Sequence, residues 1–247
     1  MSGHSKWHNI QATKNKADAA RGKIFTKIGR EIVVAVKAGG PDPNSNAKLR
    51  DIISKAKQNN MPNDNIQRSI KKASGELNSV NYEETTYEGY GVGGSAVIVK
   101  CLTDNKNRTA GDVRHAFDKA GGSLGSLGCV SYLFENKGVL ILENNGKVEE
   151  ENLIDMCLEA EAEDVINDGD VFQIITTPSN FHKVKEDLEG KGLEFLSTEV
   201  SMIPSSTIDL NEGQLATFQK MIDALESLDD VQDVYHNVNL PEEPDEE

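Results

Sequence analysis

The spacing of the apolar residues changes near Gly75, and this change limits the folds open to the chain. Before Gly75, apolar residues recur at intervals of three and four, as in Ile24, Ile28 and Ile32, which is the period of an amphipathic helix. After it, short runs rich in β-branched residues alternate with helical patterns and glycine-containing turns. The sequence therefore predicts a helical segment followed by mixed α+β structure.

Three helices are expected in the first segment. The first carries the apolar stripe from Ile24 to Val36 and ends at Gly39-Gly40-Pro41. The second contains Leu49 and Ile52, and the third contains Ile66 and Ile70. Residues 1–20 have no clear apolar stripe before Ala17, so we expect them to form an arm that is mobile until it binds.

The remainder reads as strands and helices in alternation. Strands are predicted at 83–88 and 96–102 around a glycine-rich turn, and a further strand at 129–134. Thr109, with Asp112 three residues further on, predicts the N-cap of a helix that continues through Val113 and Phe117. From residue 138 the order is β-α-β-β-α-β, typical of ferredoxin-like domains, and a last helix and strand (212–227 and 231–238) can return to the earlier strands.

These elements predict an α+β fold in which a small N-terminal helical domain precedes two α+β (ferredoxin-like) domains, one inserted in the other. The predicted boundaries are 1–76 for the basic helical domain, 77–134 with 205–238 for the discontinuous domain, 135–204 for the inserted ferredoxin-like domain, and 239–247 for an acidic disordered tail.

Charge is distributed very unevenly along the chain. Residues 1–75 hold 15 Lys and Arg against 5 Asp and Glu, a net charge of +10. The rest holds 11 basic and 36 acidic residues, a net charge of −25, which gives −15 for the whole chain. Such asymmetry favours a polyanionic partner for the basic segment, because the acidic remainder would turn that segment toward it.

Candidate contacts to nucleic acid are mainly basic. Lys23, Lys27 and Arg30 share one helical face, while Trp7 or His4 could stack on an exposed base. The alternative is a basic face that is only solvated. The full candidate set is His4, Lys6, Trp7, Lys14, Lys16, Arg21, Lys23, Lys27, Arg30, the interhelix turn residues Asn60 and Met61, and the groove candidates Arg108 and Arg114.

Several classes of protein are disfavoured. No apolar run approaches 18 residues, and three cysteines without a C-x-x-C motif indicate neither a disulfide scaffold nor a thiolate zinc site. Gly89, Gly91 and Gly94 match a dinucleotide motif by spacing, but a strand rather than a helix follows them. No catalytic constellation is legible, so we expect no enzyme activity, no metal and no cofactor.

Short motifs throughout the chain resemble the YebC family. They run from residue 3 to about residue 237 and include Gly3-His-Ser-Lys-Trp7, Arg21-Gly-Lys-Ile-Phe-Thr-Lys27, Asn60-Met-Pro62, Tyr87-Glu-Gly-Tyr-Gly91, Asp104-Asn-Lys-Asn-Arg-Thr109, Val113-Arg-His-Ala-Phe117, Glu199-Val-Ser-Met-Ile-Pro204 and Val234-Tyr-His-Asn237. One difference is Val92, which stands where the family's glycine loop usually has proline.

The resemblance implies a three-domain protein with a non-enzymatic role in gene expression. Members of the family are described as DNA-binding transcriptional regulators and as ribosome-associated factors that help translation through proline-rich stretches. Because the motifs begin at residue 3, we expect no transit peptide and a cytoplasmic protein, and we expect a monomer. The leading hypothesis is a translation factor that binds ribosomal or transfer RNA on the ribosome, and the alternative is a transcriptional regulator that binds promoter DNA.

Overall fold

The computed structural model describes residues 19–75 and 81–240. The predicted arm, except for its last two residues, and nearly all of the predicted acidic tail lie outside these residues. The described helices are α1 (Ala19–Gly39), α2 (Ala47–Gln58), α3 (Asn63–Ser74), α4 (Lys106–Lys119), α5 (Glu150–Glu159), α6 (Phe181–Gly190) and α7 (Glu212–Glu226). The strands are β1 (Glu83–Tyr90), β2 (Ala96–Thr103), β3 (Ser123–Leu124), β4 (Phe134–Glu143), β5 (Asp164–Asn167), β6 (Val171–Thr176), β7 (Phe195–Pro204) and β8 (Val231–His236).

Helices α1, α2 and α3 pack around one apolar core. Ile28, Ile32, Leu49 and Ile66 are almost completely buried in it, so the three-and-four spacing in the sequence marks the core face as expected. The buried side chain of Asn46 fixes the connection between α1 and α2. It accepts a hydrogen bond from the Leu49 amide at the start of α2, and it donates to the carbonyls at the end of α1.

The first sheet has the strand order β3-β1-β2-β8, with all neighbours antiparallel. Helix α7 packs on this sheet through Phe218 and Leu225, both fully buried, and contacts β8 and α4. The chain leaves this sheet after β3, at Leu124, and returns with α7 at Glu212 and β8 at Val231. These two elements complete the apolar layer of the sheet.

The second sheet has the strand order β5-β6-β4-β7. With the chain order β4-α5-β5-β6-α6-β7, this is the ferredoxin-like arrangement, and the α+β fold predicted from sequence is confirmed. Its helix-side core contains Leu140, Leu153, Ile174 and Leu188, and Val139 and Ile141 belong to a second apolar cluster. The first sheet reaches a two-layer form through a different chain order, β-β-α-β-α-β.

By their contacts, the described residues form two compact units. One contains residues 19–75, 81–130 and 210–236, so it joins the helical segment to the first sheet, and the other contains residues 131–209 and 237–240. The domain limits predicted from the sequence, in which the helical segment is a separate domain, stay a prediction.

Two local predictions are wrong. The strand predicted at 129–134 is absent except for Phe134, the first residue of β4, because the buried Glu88 carboxylate accepts hydrogen bonds from the amides of Gly128 and Val130 and holds this part of the chain in a loop. Thr109 does not cap α4, whose N-cap is Asn105. Thr109 is buried one turn inside the helix, where its hydroxyl donates a hydrogen bond to the Asp230 carboxylate.

Gly89 allows the first sheet to close on β3, and this generates a prediction about stability. A Cβ atom at this position would lie 2.5 Å from the Ser123 carbonyl oxygen and 2.9 Å from the Phe117 ring. Gly89→Ala should therefore lower the free energy of unfolding by about 1–3 kcal/mol, measured by urea denaturation. The control is Gly111→Ala at an exposed position of α4, where a Cβ atom meets nothing within 4 Å. This variant should raise the free energy of unfolding by about 0.5–1 kcal/mol. Equal stability of the two variants would contradict this account.

Candidate nucleic-acid interface

The basic face of α1 is directed at the protein itself. The Lys23 and Lys27 ammonium groups donate hydrogen bonds of 3.1 Å to the carbonyls of Ser227 and Glu226, respectively. Burial lowers the pKa of Lys27, although the neighbouring acids Glu226 and Asp233 oppose this shift. The helical pattern predicts an exposed basic face, and this is wrong for Lys27 and Arg30, which are half-buried.

The end of α7 explains why cations are needed there. A helix C-terminus carries partial negative charge on its last carbonyls, and cations in the last turn normally offset it. Helix α7 has no basic residue in its last turn, and Asp229 and Asp230 follow closely. Lys23 and Lys27 of α1 supply the missing positive charge from another part of the chain. The acidic end of this helix is a signal in the sequence that could have predicted the contact.

A cluster around Asp230 continues this contact into the sheet. The Asp230 carboxylate accepts hydrogen bonds from Arg30 at 2.5 Å, Arg108 at 2.7 Å, Thr109 at 2.8 Å and Thr103 at 3.1 Å. Burial raises the pKa of this carboxyl, but the four hydrogen bonds outweigh burial and lower it to about 2. Asp230 is therefore ionised at neutral pH, and it ties α1 to β2 and α4.

Arg108 and Arg114 occupy different environments. Arg108 bonds to Asp104 as well as to Asp230, so the structure gives it an internal partner on both sides. Arg114 is exposed on α4 and makes no ion pair with the residues that the structure describes. The structure thus does not bring these two candidates together as one binding group.

The turn between α2 and α3 has a purely local explanation. Asn60 has a positive φ of 57°, and the amides of Asn60 and Met61 bond back to the carbonyls of Lys57 and Ala56. This is the hydrogen-bond pattern of a Schellman motif, in which the residue after the left-handed position packs on the helix. Met61 does so and is buried in the helical core, whereas the Asn60 side chain is exposed.

Further exposed cations, which are not among the candidate contacts chosen from the sequence, lie on α2 and α3. Five of them make no ion pair within the described part of the chain, unlike Lys48 of α2, which pairs with Glu84, and each group of the five lies along one side of its helix. They are Arg50 and Lys57 on α2, and Arg68, Lys71 and Lys72 on α3. The net charge of the segment does not show that these five cations lack internal contacts, whereas Lys23, Lys27 and Arg30 on α1 have them.

The remaining candidates cannot be placed. His4, Lys6, Trp7, Lys14 and Lys16 precede the described residues, and the side chain of Arg21 also lies outside them. Among the side chains that are described, no group of three or more His, Cys, Asp or Glu is arranged to hold a metal ion. Within the same residues, no helix combines the length and apolar character needed to cross a membrane.

The Asp230 cluster generates a prediction about pH. Because the folded pKa lies below the ordinary value of 3.8, ionised Asp230 stabilises the fold above pH 4, and this contribution is lost as pH falls toward 2. Asp230→Asn should lower the free energy of unfolding at pH 7 by about 2–3 kcal/mol. The difference from wild type should shrink between pH 4 and pH 2 in denaturation experiments. Exposed Asp229→Asn is the control and should behave like wild type.

Comparison with known proteins gives one consistent answer. Two family models match, "TACO1/YebC protein N-terminal domain" over residues 5–76 and "TACO1/YebC second and third domain" over residues 82–238. Proteins from Hathewaya histolytica and Ruminiclostridium cellulolyticum, each called a probable transcriptional regulatory protein, are both 60% identical to this chain. The first match covers 98% of each chain and the second covers 100% of each.

The fold is similar to a solved structure as well. The crystal structure of a conserved hypothetical protein, Aq1575, from Aquifex aeolicus matches with a TM-score of 0.81 and 46% identity, covering 93% of this chain and 95% of that one. The resemblance seen in the short motifs is therefore confirmed over nearly the whole length. The chain belongs to the TACO1/YebC family.

Proposed function

We propose that this chain is a non-enzymatic, nucleic-acid-binding regulator of gene expression that acts as a ribosome-associated translation factor in the cytoplasm. In this role it relieves stalling at proline-rich stretches through RNA contacts of its N-terminal domain. The observation that supports it best is the segregation of charge, +10 in residues 1–75 against −25 in the remainder. A ribosome is an RNA surface that attracts the first segment and repels the second.

The exposed cations on α2 and α3 extend this proposal to particular residues. Arg68, Lys71 and Lys72 lie on one side of α3 and are available to phosphates, since none is engaged by a described carboxylate. Lys23, Lys27 and Arg30 are already held by α7 and Asp230. We therefore assign the RNA contacts first to α2, α3 and the residues before α1, and give the basic face of α1 a stabilising role.

Charge reversal separates the two groups of cations. Arg68, Lys71 and Lys72 changed together to Glu should weaken RNA binding by at least about tenfold at physiological salt, and should reduce the slope of log K against log salt by about 2. The same change at Lys23, Lys27 and Arg30 should instead lower the thermal midpoint, because it places carboxylates against the C-terminus of α7. The measurements are fluorescence anisotropy with labelled RNA and thermal melting.

The matched control carries the same change in charge elsewhere. Lys119, Lys147 and Lys220 are exposed and lie outside the helical segment, so their joint change to Glu should leave RNA binding within about twofold of wild type. If this control weakens binding as much as the α3 variant, then net charge rather than the α3 surface carries the effect.

A transcriptional regulator is the second candidate. It is favoured by the name that the relatives carry, and by the side chains of Asn65, Gln67 and Arg68 near the start of α3, which are types that can read base edges. We favour RNA because binding through phosphates alone needs no recognition helix.

Cells that lack the protein distinguish the two functions. For a translation factor, ribosome profiling should show longer pauses at runs of proline codons, and the wild-type protein should co-sediment with ribosomes at moderate salt. The α3 charge-reversal variant should restore neither property. Unchanged pausing together with altered promoter occupancy would support the transcriptional alternative and contradict our proposal.

A further inference from the structure

Helix α4 contains a glycine that the described parts of the chain do not explain. Gly111 is exposed at the sixth of the fourteen positions of the helix, and a Cβ atom there would meet nothing within 4 Å. A glycine in a helix interior destabilises the helix relative to alanine, because it loses more conformational freedom on folding. Gly29 of α1 differs, since it lies against α3 and a Cβ atom there would lie 3.8 Å from the Ser69 hydroxyl oxygen. Gly111 therefore requires a separate explanation.

The side chains of Arg114 and His115 border the surface of the helix at Gly111. Residues three and four positions apart are neighbours on a helix surface, and Cα–Cβ bonds tilt toward the N-terminus, so these two side chains lean back toward the glycine. Both are exposed, and neither side chain forms a hydrogen bond or an ion pair with the residues that the structure describes. This surface, the α4 notch, consists of exposed helix backbone at Gly111 beside a guanidinium and an imidazole group.

The carboxylates on and next to this helix lie outside the α4 notch. Asp104, just before the helix, is held by Arg108 at 2.8 Å. Asp112 is about 100° around the helix axis from the glycine. Asp118 lies seven residues beyond the glycine, about 10 Å along the axis, and makes no ion pair with the described residues. No carboxylate of α4 therefore borders the notch, and an anion can approach Arg114 there.

Helix α4 is basic although it lies in the acidic part of the chain. Residues 76–247 hold 11 basic and 36 acidic residues, and four of these 11, including both arginines, lie in Lys106–Lys119 together with only two acidic residues. Lys106 and Arg108 pair with acidic residues of the protein. Arg114 makes no such pair within the described residues, so its charge is available to an external anion.

We propose that the α4 notch binds the sugar-phosphate backbone of a nucleic-acid strand that crosses the helix at Gly111. The planar guanidinium of Arg114 matches the geometry of a phosphate, and an N–H group of the His115 imidazole supplies a further donor. The glycine lets the strand approach the helix backbone closely, which a small anion held by Arg114 alone would not need.

This inference rests on the proposed function and deepens it. The acidic part of the chain repels a polyanion as a whole, so a contact made from this part needs a locally basic element. Helix α4 is such an element, and it belongs to the same compact unit as α2 and α3. A binding role also accounts for the glycine, because the helix gives up some stability for a close approach of the ligand.

The test compares Gly111→Gln and Gly111→Ala with wild type in the full chain, by fluorescence anisotropy with a labelled single-stranded RNA and by thermal melting. Both variants should raise the thermal midpoint, since glutamine and alanine favour a helix more than glycine does. Gly111→Gln should nevertheless weaken RNA binding about tenfold, and Gly111→Ala should weaken it less, because the larger side chain displaces the strand further from Arg114. A damaged fold cannot explain weaker binding by a more stable protein.

Two pairs of variants provide matched controls. Gly213→Gln makes the same change at an exposed glycine of α7 and should leave RNA binding within about twofold of wild type. Arg114→Gln should weaken binding and reduce the slope of log K against log salt by about 0.7, the value for one phosphate contact to a single strand. Lys119→Gln removes the same charge more than two turns beyond the glycine and should leave this slope unchanged.

Unchanged affinity in Gly111→Gln, an equal loss of affinity in Gly213→Gln, or a lower thermal midpoint in Gly111→Gln would each overturn the inference. Titration with a duplex DNA distinguishes the two sources of a phosphate backbone. The outcome is separable from that of the proposed function. RNA binding that depends on α3 but not on Gly111 overturns only the α4 notch, whereas Gly111-dependent binding of DNA by a protein that does not associate with ribosomes overturns only the translation role.

Discussion

Hydrogen bonds to the buried carboxylate of Asp230 connect the helices and the sheet of the first compact unit. It lies just before β8 and binds Arg30 from α1, Thr103 from β2, and Arg108 and Thr109 from the start of α4. Taking a charge out of water is costly unless hydrogen bonds replace the lost hydration, and here four donors do so. This one side chain therefore ties the helical segment to the sheet.

The contact between α1 and the end of α7 follows from the same electrostatics. A helix that ends in acidic residues has an unfavourable C-terminus, and a basic helix from elsewhere in the chain relieves it. This division of labour has a functional consequence. Lys23, Lys27 and Arg30 on α1 stabilise the fold, whereas the five exposed cations on α2 and α3 that make no internal ion pair remain accessible to a polyanion. A basic segment in an acidic protein thus need not use all its charge for binding.

Glycine and polar residues at the connections shape the surface around these contacts. The left-handed Asn60 ends α2 and turns Met61 into the core, so the turn toward α3 is compact. In the first sheet, Gly89 lets β3 approach β1, and Glu88 fixes the loop after β3 through backbone amides.

Most of the secondary structure, the α+β class and the basic character of the first segment could be predicted from the amino-acid sequence. These follow from local periodicity and from charge, which are properties of neighbouring residues: the strand predicted at 96–102 is observed at Ala96–Thr103. Which charges make internal contacts, by contrast, depends on how distant parts of the chain pack together. Lys27 and Arg68 look equivalent in the sequence, but Lys27 meets a helix C-terminus that lies 199 residues away. The β-bulge at Gln232 of β8 likewise has no signal in the sequence, because it depends on the pairing of two distant strands.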